Sequence, residues 1–245
     1  MIDLSKKKII TADVDQTICE SCQVISDNMV KEITRLTNKG YIFVFISGTD
    51  CKNLTKMISS KLKTEHYILG TEGTECVYVK NKKIELKYKF TLKEEERKAI
   101  ISAFNRLIDK YNIQPLTSKE DQLLDRKSQI TFSAIGRNAP YEKKINFDPD
   151  FKKRKEWINF LKEYIDLTKF EIKIGGTTSL DVTKKDVNKG QGLKLFIEKN
   201  NLNKQEIIFL GDRIFPGGND YSIKDVVDWI LVKNPKNTLE IFKKI

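Results

Sequence analysis

Hydrophobic positions keep two alternating rhythms along this chain. Unbroken runs, Lys8-Ile9-Ile10-Thr11-Ala12 and Tyr41-Ile42-Phe43-Val44-Phe45-Ile46, have the length and continuity of strands buried on both faces, as in a parallel sheet. Between them Val30, Ile33 and Leu36 recur at helical spacing. Ser26-Asp27 supplies a helix start and Gly40 a stop. A further helix is predicted from about 51 to 62, then a short strand over 67–70. The last third repeats this grammar, with a helix over 190–200 and strands over 207–210 and 228–232. Such βαβ units at both ends predict an α/β fold with a doubly wound parallel sheet.

The middle breaks the pattern. Amphipathic helices are predicted near 92–110 and 151–165. Short alternating strands are predicted at Gln129-Ile130-Thr131-Phe132-Ser133 and Glu171-Ile172-Lys173-Ile174. This reads as an inserted α+β domain over 80–186, splitting a core made of 1–79 and 187–245. No internal repeat or low-complexity segment is evident.

Composition changes this picture little. The 245 residues are 39% hydrophobic, with 12 glycines, which is globular. No apolar run approaches the roughly 18 residues of a membrane helix. Met1-Ile2-Asp3-Leu4-Ser5 lacks the apolar region of a signal peptide, so no membrane association and a cytoplasmic location are expected. The net charge of +11 is spread among acidic residues. Lys152-Lys153-Arg154-Lys155 falls where an amphipathic helix would expose it. A solvated surface is therefore favoured over nucleic-acid binding. Cys19, Cys22, Cys51 and Cys76 include one Cys-x-x-Cys pair, with no second pair or histidine to complete a zinc set. His66, the only histidine, has no acidic or nucleophilic partner nearby in sequence, so a packing or surface role is expected. Acid–base work must fall to carboxylates.

The candidate chemistry lies at strand ends. Lys8–Ala12 runs into Asp13-Val14-Asp15-Gln16-Thr17, which puts two carboxylates at the C-terminal edge of the sheet, where open α/β folds keep their sites. Such carboxylates repel unless a cation or a shared proton intervenes. Hard oxygen ligands of this kind suit magnesium shared with a substrate phosphate. Ser47 ends the second strand and Asp212 follows a late one, so residues nearly two hundred positions apart should converge. Asp13 read alone could be a cap, and Ser47 could cap the next helix. Alternatively, Ser47 and the backbone N–H groups beside Gly48 could hold a phosphoryl oxygen. Lys189 stands at a helix start, where the dipole disfavours a cation.

Asp13-Val14-Asp15-x-Thr17, Ser47, Lys189 and Gly211-Asp212 through Asn219-Asp220 resemble, in order and spacing, the four motifs of the haloacid-dehalogenase phosphotransferase superfamily. The run from Asp212 to Asp220, with Arg126–Arg137 and Ser179-Leu180-Asp181-Val182, resembles its phosphomannomutase branch, in subfamily IIB. The resemblance implies a haloacid-dehalogenase core with a cap and a nucleophilic Asp13 forming an aspartyl-phosphate. Asp15 would then be general acid. It also implies Mg2+ held by Asp13, Asp15, Asp212, Asn219 and Asp220, with Ser47 and Lys189 on the transferring phosphoryl group. Arg126 and Arg137 match cap arginines that grip the other phosphate. Ser179 and Asp181 match positions near the sugar or its phosphate. Exposed strand residues remain an alternative for Arg126 and Arg137, and a merely structural role for Ser179. The implied partner is a small sugar phosphate, and a homodimer stays open.

Three departures touch substrate handling. Gln16 replaces the glycine usual after the second aspartate, so the turn there should avoid positive φ. Residues 18–24 lack the phosphate-binding arginine of eukaryotic members, with Cys22 about where it would fall. Lys127-Ser128, Thr131 and Ala134 replace Asn-Gly, asparagine and proline. A mutase must hold a bisphosphate in two orientations and exclude water, whereas a phosphatase needs one orientation and admits water. The leading expectation is a phosphomannomutase-like enzyme, with a sugar-phosphate phosphatase as alternative. From another class, a silent polyanion-binding protein on an enzyme scaffold remains.

Overall fold

The computed structural model describes residues 6–245. The signal-peptide reading of residues 1–5 lies outside the described residues. The chain separates into two compact units, one ending at Lys89 and resuming over Val187–Ile245, the other Phe90–Asp186.

In chain order the first unit contributes β1 (Ile9–Asp13), α1 (Asp27–Asn38), β2 (Ile42–Ile46), α2 (Cys51–Met57), β3 (His66–Gly70), β4 (Glu75–Lys80) and β5 (Lys83–Lys89). The second holds α3 (Glu94–Tyr111), α4 (Lys119–Gln122), β6 (Leu123–Asp125), β7 (Gln129–Ser133), α5 (Tyr141–Ile145), α6 (Lys152–Leu161), β8 (Phe170–Gly175) and β9 (Ser179–Lys184). The chain then returns through α7 (Lys189–Lys199), β10 (Ile207–Gly211), β11 (Asp228–Leu231) and α8 (Pro235–Phe242).

The first unit is a seven-stranded sheet in the order β11-β10-β1-β2-β3-β4-β5. The five strands from β11 to β3 are parallel, and β4 and β5 close the sheet as an antiparallel hairpin. Alternate strand residues serve opposite layers. Ile10, Ala12, Phe43 and Phe45 pack with Met29, Ile33 and Leu36 of α1 and Phe242 of α8. Ile9, Val44 and Ile46 pack with Leu193 and Phe196 of α7. Both sheet faces are thus covered, which is why these strands read as unbroken apolar runs. His66 is packed: Nδ1 lies 2.7 Å from the Thr64 carbonyl and Nε2 2.9 Å from Ser59 Oγ.

Three expectations need correction. The first unit runs ten residues past the expected boundary at 79, because β5 pairs with β4 and Lys89 Nζ bonds Glu75 Oε2 at 2.8 Å. β5 is largely exposed, so it carries no apolar run to announce it. α2 stops at Met57 instead of about 62, and the Met57 carbonyl accepts from Ile25 N at 2.9 Å. Arg154 is buried, not displayed: Nε bonds Asp148 Oδ2 at 2.8 Å, and Nη1 reaches the carbonyls of Gly175 and Gly176.

The second unit is an antiparallel sheet, β6-β7-β9-β8. Ile130, Phe132, Leu180 and Val182 face α3 and α6 through Phe104, Leu107, Trp157 and Leu161. Period-two alternation leaves Gln129, Thr131, Ser133, Ser179, Asp181 and Thr183 on the other face. No helix among the described residues is long and apolar enough to cross a membrane.

Candidate active site

Strand register brings the predicted residues together. Asp13 pairs with Ile46, the residue before Ser47, while Ala12 pairs with Leu210, two before Asp212. Asp13, Ser47 and Asp212 therefore stand at one C-terminal sheet edge, as the sequence implies. Asp220 returns to this edge through the loop after β10. Gly211 leaves room for it, since a Cβ there would lie 2.5 Å from Asp220 Oδ2. One carboxylate oxygen from each of Asp13, Asp212 and Asp220 lies within 4.8 Å of the others.

Lys189 binds two of the three. It is fully buried, as is Asp220, and its Nζ donates to Asp220 Oδ1 at 2.6 Å and to Asp13 Oδ1. Asp220 Oδ2 accepts from Arg213 N at 3.1 Å. A lysine at the first position of α7 opposes the helix dipole by only about 0.3–1 kcal/mol. Paired carboxylates in a buried setting outweigh that.

Two small residues let α7 approach. A Cβ on Gly190 would lie 2.3 Å from the Ser222 carbonyl oxygen, and one on Gly192 would lie 2.1 Å from that of Glu72. Asn188 caps the helix, its side chain accepting from Gln191 N at 3.0 Å. Glycines inside a helical pattern are a signal of close packing, and the sequence reading passed over them. It also passed over Glu72, which precedes Gly73 in the turn after β3.

Burial pushes the Asp13 carboxyl well above the usual range, and Lys189 opposes the shift. Asp212 is raised by burial and then by Asp220, with Arg213 and Lys189 opposing. Burial alone would depress Lys189, but the charges of Asp13, Asp220 and Glu72 raise it. Three carboxylates thus crowd one buried ammonium that binds two of them, and the crowded carboxylates with their hard oxygen donors fit a divalent cation.

Asp15 stands apart from this cluster. Its Oδ1 accepts from Cys22 N at 2.7 Å. The turn beside it contradicts the expectation of negative φ, for Gln16 adopts φ 60°. Gln16 N donates to the Cys19 carbonyl at 2.8 Å, and Ile18 N and Cys19 N both donate to the Val14 carbonyl. These bonds hold a conformation that costs a side-chain-bearing residue about 1–2 kcal/mol. Thr17 is buried beneath the turn.

Ser47 does not cap α2, because Asp50 does, accepting from Asn53 N at 2.9 Å. Ser47 Oγ instead accepts from Thr49 N at 3.1 Å, bracing the turn that contains Gly48. Asn219 is exposed on the loop leading to Asp220.

The remaining candidates belong to the second unit. Arg126 and Arg137 are half-buried, at the β6–β7 turn and after β7. Arg126 N donates to the Gln129 carbonyl at 2.9 Å, and Arg137 N to that of Asp121 at 3.0 Å. Ser179 and Asp181 pair with Ser133 and Thr131 across β7 and β9. Asp181 Oδ1 accepts from Thr131 Oγ1 at 2.6 Å and from Gln129 Nε2 at 2.7 Å.

The chain is similar to phosphomannomutases. That of Encephalitozoon cuniculi is 28% identical over 242 residues, covering 95% of this chain and 91% of the relative. That of Saccharomyces cerevisiae is 26% identical over 244 residues, covering 97% and 93%. In fold it is similar to the Plasmodium falciparum IMP-nucleotidase, at a TM-score of 0.70 and 15% identity, covering 98% of this chain and 70% of that one. A haloalkanoate-superfamily phosphatase from Bacteroides thetaiotaomicron gives a TM-score of 0.61 and 14% identity, covering 98% and 96%. The haloacid dehalogenase-like hydrolase family matches residues 10–227, the span that contains every carboxylate of the cluster. The chain therefore belongs to that family, in its phosphomannomutase-like branch, and is a phosphotransferase or phosphatase of that class.

Proposed function

We propose that the protein catalyses magnesium-dependent phosphoryl transfer on a sugar phosphate through an aspartyl-phosphate on Asp13, as a phosphomannomutase does. The supporting observation is the meeting of Asp13, Asp212 and Asp220 around Lys189 at one sheet edge. An Asp13 carboxylate oxygen attacks phosphorus while the bond from phosphorus to the sugar oxygen breaks. Asp15 gives a proton to the departing oxygen and later takes one from the acceptor hydroxyl. Ser47, the N–H groups near Gly48, and Lys189 bind the equatorial oxygens.

Asp13, the Asp15 backbone carbonyl and Asp212 would hold magnesium, with Asn219 and Asp220 in support. The ion supplies charge neutralisation at the phosphoryl oxygens. In this reading residues 90–186 form the cap, Arg126 and Arg137 grip the phosphate not being transferred, and Ser179 and Asp181 contact the sugar. Asp181 spends one oxygen on Thr131 and Gln129, which presents a fixed acceptor to a hydroxyl.

A phosphatase is the second reading. It is favoured by the loop over residues 18–24, which lacks an arginine and whose Cys22 N is engaged by Asp15. Incubation with mannose 1-phosphate, a trace of hexose bisphosphate and Mg2+ separates the two. A 6-phosphate product identifies the mutase, and free phosphate the phosphatase. Asp13→Asn is expected to abolish either activity, and an active variant would refute the assignment of the nucleophile.

A further inference from the structure

The turn between β3 and β4 is strained in a way that the proposed mechanism leaves unused. Thr71, Glu72 and Gly73 follow one another with φ of 46°, 59° and 85°. Left-handed backbone is natural for glycine only, and a β-branched residue there is an outlier. Such strain gathers where function requires a fixed geometry.

Several contacts hold it. Thr71 N donates to the Thr49 carbonyl at 2.9 Å and Glu72 N to the Ser47 carbonyl at 3.0 Å. From the other side the first turn of α7 presses on it, since a Cβ on Gly192 would lie 2.1 Å from the Glu72 carbonyl oxygen and 2.7 Å from Gly73 Cα. The turn is thus wedged between the strand end that carries Ser47 and the helix that carries Lys189.

The Glu72 side chain points back into this wedge. A Cβ at Gly48 would lie 2.9 Å from Glu72 Oε1, so the glycine leaves the space that the carboxylate fills. The same charge contributes to raising Lys189. An acid here is unexpected, because Ser47, Gly48 and Lys189 form the part of the site suited to an anion.

We propose that Glu72 is a specificity-determining residue that weakens phosphate retention by standing as a fixed anion beside the Ser47–Gly48 turn and Lys189. This rests on the phosphoryl-site reading above. A phosphoryl group entering the turn meets Lys189 and the backbone donors on one side and the Glu72 carboxylate on the other. Inorganic phosphate left after hydrolysis, which has no sugar to anchor it, is the ligand most weakened by the negative charge there.

The test compares the wild type, Glu72→Gln, Glu72→Asn and Glu198→Gln by calorimetric titration with inorganic phosphate in Mg2+. Glu72→Gln preserves shape, and Glu72→Asn suits left-handed backbone. Glu198 is exposed on α7 and controls for net charge. Both Glu72 variants are expected to bind phosphate about tenfold more tightly, the effect of relieving ~1.4 kcal/mol of repulsion, with Glu198→Gln unchanged. Equal phosphate affinity in all four proteins overturns the role of Glu72 and leaves the phosphoryl site standing. Tightening in Glu198→Gln of the same size also overturns it, by assigning the effect to net charge. No phosphate binding in any of the four overturns the phosphoryl-site reading itself, and the role of Glu72 with it.

Discussion

Lys189 Nζ lies 2.6 Å from Asp220 Oδ1, and neither side chain has any solvent exposure. Both arrive from distant parts of the sequence, α7 and the loop after β10, and Asp13 at the end of β1 shares the same ammonium. Removing that ammonium leaves buried carboxylates without a counter-charge. Lys189→Met is therefore expected to destabilise the protein by about 3–5 kcal/mol. Mg2+ should recover more of the loss in this variant than it adds to the wild type, because the ion supplies the missing positive charge. Thermal melts with Mg2+ and with chelator check both statements. An equal metal effect in the two proteins would contradict the shared-cation picture.

Gly192→Ala sets helix propensity against packing. Alanine improves a helix interior by about 1 kcal/mol over glycine. Here the added Cβ would meet the Glu72 carbonyl oxygen at 2.1 Å, and overpacking costs typically about 1–3 kcal/mol. Backbone atoms on both sides leave little room to yield, so a lower melting temperature is expected. Turnover should fall as well, since α7 carries Lys189. A stabilised, fully active variant would show that α7 can shift without consequence.

His66 should mark the pH dependence of stability. Burial lowers its pKa from the usual 6.5, against a smaller opposing effect of the Thr64 carbonyl. Below 6.5 the unfolded chain takes up a proton that the folded chain resists, so stability falls as pH drops from 6.5 toward the folded pKa. Above 6.5 both forms are neutral and the contribution vanishes. The slope reaches at most about 1.4 kcal/mol per pH unit. Because His66 is the only histidine, denaturant melts of His66→Gln between pH 5 and 7 should lose this slope.

The buried Arg154–Asp148 pair gives a test within the second unit. Arg154→Met strands the Asp148 carboxylate and releases the carbonyls of Gly175 and Gly176, at an expected cost of about 3–5 kcal/mol. Adding Asp148→Asn should restore part of the loss, since no unpaired charge remains. A double-mutant cycle by denaturant unfolding measures this coupling, and strict additivity would argue against an ion pair.

The convergence of Asp13, Ser47 and Asp212 was legible in the sequence because their strands carry continuous apolar runs. In a parallel sheet every strand ends on the same edge, so a polar residue after each run has a determined place. The family resemblance rests on the same motifs, which are local. Sequence also located α1, α3 and α7, whose apolar spacing and flanking residues are local signals.

What the sequence could not carry were relations between distant segments. β5 reads as an exposed lysine-rich stretch, and only its pairing with β4 assigns it to the first sheet. Arg154 looks like one more surface cation until Asp148 and two glycine carbonyls enclose it. Glu72 is held in left-handed backbone by a hydrogen bond to the Ser47 carbonyl and by packing of Gly192, both outside its own turn, which override the local preference for glycine. Asn219 sits in the matching motif yet is exposed, whereas Asp220 beside it is buried against Lys189. Local pattern determines which elements form and where their ends lie, because those energies act over a few residues. Burial, charge pairing and backbone strain at the site depend on neighbours that only the assembled fold supplies.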